Sequence, residues 1–316
     1  MSSKIKIGIS TCLLGEKVRY DGGHKLDRFL TQTLGQYVTY VPVCPEVECG
    51  MGIPRESLHL VGDPEAPRLT TSRTHRDFTE QMTQWARQKL SELGKENLCG
   101  FIFKSDSPSS GMERVKVYSE AGMPRKIGVG IFARLFMNHF PRTPVEEEGR
   151  LHDPTLRENF IEQIFTLQRW RNLKETGGAM EDLIHFHTRH KLLILSHSPR
   201  HYQAMGKLTA SGASLPFKEL LDQYESLLMQ ALKLKTTTRK NTNVLQHIMG
   251  YFKSELTHDE KQELLDIINE YYHENFPLIV PVTLLNHYVR KYHQTYLMGQ
   301  YYLNPHPCAL QLRNHV

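Results

Sequence analysis

Two thiols and two carboxylates fall within six residues in the stretch Pro42-Val43-Cys44-Pro45-Glu46-Val47-Glu48-Cys49-Gly50. Thiolates are soft donors that select zinc, copper(I) or iron–sulfur clusters. A carboxylate two residues from such a donor is placed to act as a general base. Cys12, at the end of another strand-like run, offers a further thiol. The spacing Cys44-x4-Cys49 departs from the two-residue spacing of zinc knuckles, which disfavours zinc. The plainer alternative is that these cysteines are buried small hydrophobes and that Glu46 is a solvated carboxylate. A second chemical stretch, Lys104-Ser105-Asp106-Ser107-Pro108-Ser109-Ser110-Gly111, is rich in small donors and backbone N–H groups. Such a loop suits an anion or a polar base edge, or is an ordinary polar turn.

Positioning these groups requires strands that end beside one another. Lys4–Ser10 alternates and is β-branched, so it reads as a strand that delivers Cys12 in the turn after it. The polar loop Val18–Lys25, carrying Arg19 and Asp21, precedes a short helix expected over Leu26–Leu34. Tyr37–Val43 is a second strand, ending at Cys44. Ile53–Leu69 reads as loop because Pro54, Pro64 and Pro67 punctuate it. Phe78–Leu93 has helical spacing, Leu98–Phe103 is a third buried strand leading into the serine-rich loop, and Val115–Tyr118 is a short strand. A further helix begins at Gly128–Ala133 and runs to Phe140. Alternating strands and helices imply an α/β unit with a small, mainly parallel sheet over residues 1–150. Glu146-Glu147-Glu148-Gly149 marks its edge, and Leu156–Leu173 is a bridging helix within a linker over 151–180.

From about Glu181 to residue 316 the periodicity is helical without a convincing strand, so this part reads as mostly α-helical, with a proline-broken tail from Tyr301. It carries His185, His187 and His190 in little more than one turn, and the basic segment Lys233–Asn241. These features read as a basic, aromatic surface in preference to a metal site. Tyr251, Tyr288 and Tyr292 are candidates to stack on bases or to pack helices. The chain has 316 residues, 39% hydrophobic and 23% charged, with a formal net charge of +5, which favours an anionic partner. No apolar run is long enough to span a membrane, and the N-terminus lacks the apolar core of a signal peptide. The expected setting is therefore the cytoplasm, where five cysteines do not form a disulfide framework.

Four motifs in order, Ile9-Ser10-Thr11-Cys12-Leu13-Leu14-Gly15, Val18-Arg19-Tyr20-Asp21-Gly22, Pro42-Val43-Cys44-Pro45-Glu46-Val47 and Lys104–Gly111, resemble those of the TudS-type thiouracil desulfidases. His185–Lys191, Asn243–His247, Gly250–Lys253, Pro277–Pro281 and Pro305-His306-Pro307 resemble a YbgA-type domain. The two-domain arrangement is similar to RudS-like tRNA 4-thiouridine desulfidases. The resemblance implies a [4Fe-4S] cluster on three cysteines, non-redox removal of sulfur from a thiolated pyrimidine, and tRNA or a thiolated nucleotide as substrate. It implies Cys12 and Cys44 as ligands and Glu46, assisted by Ser107, as the group that activates water. Arg19, Asp21, Lys104, Ser105 and Ser109 are expected to hold the base and its sugar. The family pattern Ser-Pro-Ser-Cys-Gly departs here, because Ser110 stands at the cysteine. Cys49, where many members carry glycine, is the expected replacement, with Cys99 as its rival. Free thiouracil is an alternative substrate. A nucleic-acid-binding or stress-associated protein with a degenerate cluster site is a rival function, and a zinc-dependent hydrolase a weaker one.

Overall fold

The structure is a computed structural model that describes residues 4–119, 121–212, 215–310 and 312–314. The chain divides into two compact units, Met1–Asp153 and Pro154–Val316.

In the first unit, β1 (Ile5–Ser10) pairs in parallel with β2 (Val38–Val43) on one side and β5 (Gly100–Phe103) on the other. β5 pairs in parallel with β8 (Val145–Glu147), giving the order β2-β1-β5-β8. Ile5, Ile7 and Ile9 are buried on one face of β1 and Gly8 and Ser10 on the other, as a central parallel strand covered on both faces requires. The register places Ser10 opposite Val43 and Ile9 opposite Ile102, so the strands finish at one edge of the sheet. That alignment brings the turns carrying Cys12 and Cys44 and the loop after Phe103 together. Phe101 and Phe103 pack against Phe132 and Phe136 of α3 (Ile131–His139) and Ala86, Leu90 and Leu93 of α2 (Thr79–Lys95).

The expectation of a loop over Ile53–Leu69 is corrected by a second sheet. It comprises β3 (Leu58–Val61), β4 (Arg68–Thr71), β6 (Val115–Tyr118) and β7 (Pro124–Gly128), in the order β4-β3-β6-β7. Each strand has only four or five residues, too few for alternation to stand out, and the prolines at 54, 64 and 67 lie outside the paired residues. Leu60, Leu69, Val115 and Val117 bury its apolar face with Met51, Met82 and Cys49. Two further details differ. Leu26–Leu34 yields only a π-helical turn at Phe29–Thr33 followed by a 3₁₀ turn. The glutamate run expected to mark an edge is strand β8, whose pairing with β5 no local pattern reveals.

The second unit is helical: α4 (Pro154–Glu175), α5 (Met180–His197), α6 (Pro199–Ala210), α7 (Phe217–Lys233), α8 (Thr238–Met249), α9 (His258–Tyr272), α10 (Ile279–Lys291) and the short α11 (Thr295–Met298). Hydroxyl N-caps start three of them: Ser198 accepts from His201 N, Thr237 from Lys240 N, and Thr257 forms a capping box with Glu260. Helix α6 escapes sequence reading because only Met205 and Thr209 of its face are buried. Arg313 in the tail is buried, donating to Glu158 at 3.0 Å and Glu162 at 2.8 Å. Among the described residues no helix is long and apolar enough to cross a membrane.

Candidate active site

At the C-terminal edge of the parallel sheet lies a cleft of about 430 Å³. Cys12, Arg19, Cys44, Glu46, Arg55, Lys104, Ser105, Ser107 and Ser110 are among the residues that line it. Crevices at the carboxyl ends of parallel strands are where α/β sheets place ligands. Cys12 sits in the 3₁₀ turn Thr11–Leu14 directly after β1, and Cys44 is the N-cap of the short helix α1 (Pro45–Glu48), with Pro45 at its first position. Glu46 is therefore carried in the first turn of α1, and its Oε2 lies 3.7 Å from Cys44 Sγ.

The carboxylate of Glu46 is the hub of the cleft. Ser109 donates a short hydrogen bond to its Oε1, and Ser107 Oγ stands 3.5 Å from the same oxygen. Ser107 and Ser109 are 3.0 Å apart, and Ser110 N donates to Ser107 Oγ at 3.1 Å. Arg55 brings a positive charge to Oε2 at 3.8 Å while its Nη1 donates to Val18 O at 3.0 Å. Burial, reinforced by the charge of Glu46, pushes the Cys12 thiol up to about 11 and the Cys44 thiol up to about 12. Without a bound cation both are protonated at neutral pH; a metal would displace those protons.

Three glutamates anchor this arrangement. Glu148 accepts from Ser105 N at 2.7 Å and from Lys104 Nζ at 2.5 Å, fixing the start of the serine loop. Glu147 accepts from Met112 N at 2.6 Å and fixes its end. Glu48 accepts from Cys44 N at 2.8 Å and pairs with Lys89, so the second carboxylate of the cysteine stretch holds the backbone of α1. The N-terminus of α3 clamps the loop centre, as Phe132 N and Ala133 N both donate to Ser109 O.

The cleft thus gathers Cys12, Cys44, Glu46, Ser107, Arg19, Lys104 and Ser105, and Ser109 joins through its bond to Glu46. The ammonium of Lys104 is already neutralised by Glu148, which makes it a support of the loop. Asp21 is exposed; its carboxylate accepts from Gly23 N at 2.9 Å, which holds it below the usual carboxylate range, and faces Arg19 at 3.6 Å. It shapes the Arg19 loop and does not line the cleft. The structure does not bring Cys49 to the cleft either. Its Sγ points back to Glu46 O at 3.4 Å, and its side chain packs with Met51, Leu60 and Met82 in the apolar cluster of the second sheet. Cys99 is fully buried ahead of β5, and Cys308 is exposed in the second unit. Sequence reasoning missed Arg55, hidden in a segment read as loop, and the anchoring glutamates, whose role depends on where β8 pairs.

Comparisons with known proteins match separate stretches of the chain. A family model for 2-thiouracil desulfurase matches residues 7–148, which holds every residue of the cleft. A second model, of the DUF1722 family of unknown function, matches residues 191–307. The uncharacterized protein YbgA of Escherichia coli (strain K12) is 31% identical over 153 residues, spanning 48% of this chain and 90% of that protein. A solved structure described as the [4Fe-4S]-dependent thiouracil desulfidase TudS is 28% identical, with a TM-score of 0.40, covering 49% of this chain and 97% of that one. The chain belongs to the family of YbgA, and in it a stretch matching the 2-thiouracil desulfurase model is joined to one matching the DUF1722 model.

Proposed function

We propose that the protein removes sulfur from a thiolated pyrimidine, with 4-thiouridine in tRNA as substrate, through an iron–sulfur cluster held in the N-terminal cleft. The observation that carries this reading is the convergence of two buried thiols, Cys12 and Cys44, and the carboxylate of Glu46 on one cleft. The donor set fits a [4Fe-4S] group at those two thiols, which are soft, shielded and un-ionised without a cation. At the third position the cleft-lining side chain is Ser110, while Cys49 is packed in the apolar cluster of the second sheet. Such a cluster would supply a Lewis acid toward the thione sulfur.

The chain's own residues do the rest. Glu46, held by Ser109 and faced by Arg55, takes a proton from a water beside the C–S carbon. The water oxygen bonds to that carbon, the C–S bond breaks, and sulfur leaves as hydrogen sulfide with both protons of the water, one of them returned from Glu46, so the base gains oxygen with no net redox change. Arg19 and Ser105 on the cleft wall orient the base and sugar. Support for RNA comes from the net charge of +5 and from the basic, aromatic segments of the second unit. Five free thiols suit the reducing cytoplasm.

Bulk tRNA incubated with anaerobically reconstituted protein is expected to lose its near-UV 4-thiouridine absorbance. Retained absorbance together with turnover of free 2-thiouracil would move the substrate to the free base. Ser110 favours one other reading, an RNA-binding protein whose cluster site has decayed. A colourless, iron-free protein after anaerobic preparation would establish that instead.

A further inference from the structure

In the second unit, α4 and α5 enclose a pocket of about 280 Å³ with Arg169, Arg189, His190 and Tyr301 in its wall and Asn172 and His185 at its exposed rim. Two guanidinium carbons lie over the same ring, Arg169 at 3.9 Å and Arg189 at 4.4 Å from the Tyr301 centroid. Arg169 donates only to neutral acceptors: Nε to His190 Nε2 at 3.0 Å, Nη1 to Pro305 O at 2.9 Å and Nη2 to Thr166 Oγ1 at 2.9 Å. His190 places its Nδ1 2.7 Å from Phe186 O, so Nδ1 carries the proton and Nε2 is left to accept from Arg169. The imidazole is therefore neutral and contributes no charge. Arg189 uses its Nε on Gly299 O at 3.0 Å, and among the described residues its terminal nitrogens have no hydrogen-bond partner.

Among the described residues no carboxylate lies within ion-pair distance of either guanidinium. The nearby Glu162 is already committed to Arg313 at 2.8 Å and His197 at 3.0 Å. The rim carboxylate Asp182 accepts the capping N–H of Ala179 at 2.8 Å. Burial draws the Arg169 guanidinium down to about 10 against the opposing pull of Tyr301 and Glu162, and the charge of Arg189 adds a smaller push in the same downward direction. Two adjacent like charges in a half-enclosed wall are costly unless an anion joins them. Guanidinium groups with spare N–H donors bind tetrahedral oxyanions with particular strength.

We propose that this pocket binds a phosphate group, with Arg169 and Arg189 as its paired donors and His185 and Asn172 at its entrance. The phosphate comes either from an RNA backbone or from free phosphate. Only the RNA source rests on the function proposed above. The test uses the full chain. Inorganic phosphate and pyrophosphate are expected to raise the melting temperature of the wild type, and Arg189→Gln is expected to abolish that shift. His185→Glu places a negative charge at the rim and, since His185 makes no hydrogen bond, ion pair or ring contact among the described residues, should weaken the shift several-fold without unfolding the protein. Binding of tRNA lacking 4-thiouridine, measured without turnover, separates the sources. If the RNA backbone docks here, both variants bind about tenfold more weakly, with a salt dependence shallower by about one unit. If free phosphate is the ligand, tRNA affinity stays unchanged while the phosphate shift is lost. Neither a phosphate shift nor a change in tRNA affinity, or a phosphate shift that both variants keep, would overturn the proposal and leave the arginines as braces for the tail. Turnover of free 2-thiouracil by the N-terminal cleft is expected to be the same in all variants, so failure of the desulfidase reading shows separately.

Discussion

At the residue scale, the cleft separates the work of two carboxylates two residues apart in the chain. Glu46 faces the thiols and serines, whereas Glu48 turns back to hold Cys44 N. Replacing Glu46 by Gln keeps the size and an acceptor for Ser109 but removes the base. Turnover is expected to fall by about 10²–10⁴-fold, the usual worth of general-base catalysis, with iron content unchanged. Iron and sulfide analysis beside the rate distinguishes this from loss of the cluster. Ser110 invites the opposite experiment. It lies on the cleft with Cys12 and Cys44, while Cys49 is packed among Met51, Leu60 and Met82. Ser110→Cys is expected to raise iron and sulfide content and turnover after reconstitution, and Cys49→Ala to leave iron content as it was. A fall in iron with Cys49→Ala would return the third position to that thiol.

At the scale of elements, the serine loop is held by three separate pieces of structure: the end of β8 through Glu147 and the residue after it, Glu148, β1 through Ser10 Oγ accepting from Lys104 N, and the first turn of α3. The last contact demands glycine at 130. A Cβ there would stand 2.5 Å from the carbonyl carbon of Ser109 and 2.7 Å from Ser110 N, both backbone atoms. Gly130→Ala is therefore expected to push the loop away from Glu46. Stability should fall by about 1–3 kcal/mol, as for other overpacked sites, and turnover should fall further than the folded fraction. Denaturant unfolding and rates on the same preparation check both. A variant with wild-type rate and stability would show that the loop yields without consequence.

At the scale of the whole molecule, acid acts on the helical unit through a buried imidazole. In the helical unit His187 lies beside Tyr224, Nδ1 to Oη 3.0 Å, and burial followed by the charge of Lys191 draws its imidazole down to about 4 from 6.5. Between those values the unfolded chain takes up a proton that the folded chain refuses. The contribution is thus complete above about pH 6.5 and is lost as pH falls toward 4. By pH 5 the loss is expected to be on the order of 1–2 kcal/mol. Measured as the stability gap between wild type and His187→Gln, it should shrink from pH 7 to pH 5; a constant gap would place the proton on the folded imidazole.

The sequence alone determined the fold class and the strands that lead to Cys12 and Cys44, and it singled out Glu46 and the serine loop as candidates. Each of those rests on local information: β-branched alternation, helical spacing, and motifs whose residues adjoin one another in the chain. Only the tertiary structure decided which of these groups meet. The parallel register of β1 with β2 and β5 sets three turns on one edge. The pairing of β8 with β5 turns a run of glutamates into the anchor of the serine loop. The second sheet, built from strands too short to recognise, takes Cys49 into its apolar face. The side on which a side chain falls is fixed by pairing partners far away in the chain, and local pattern carries no record of them.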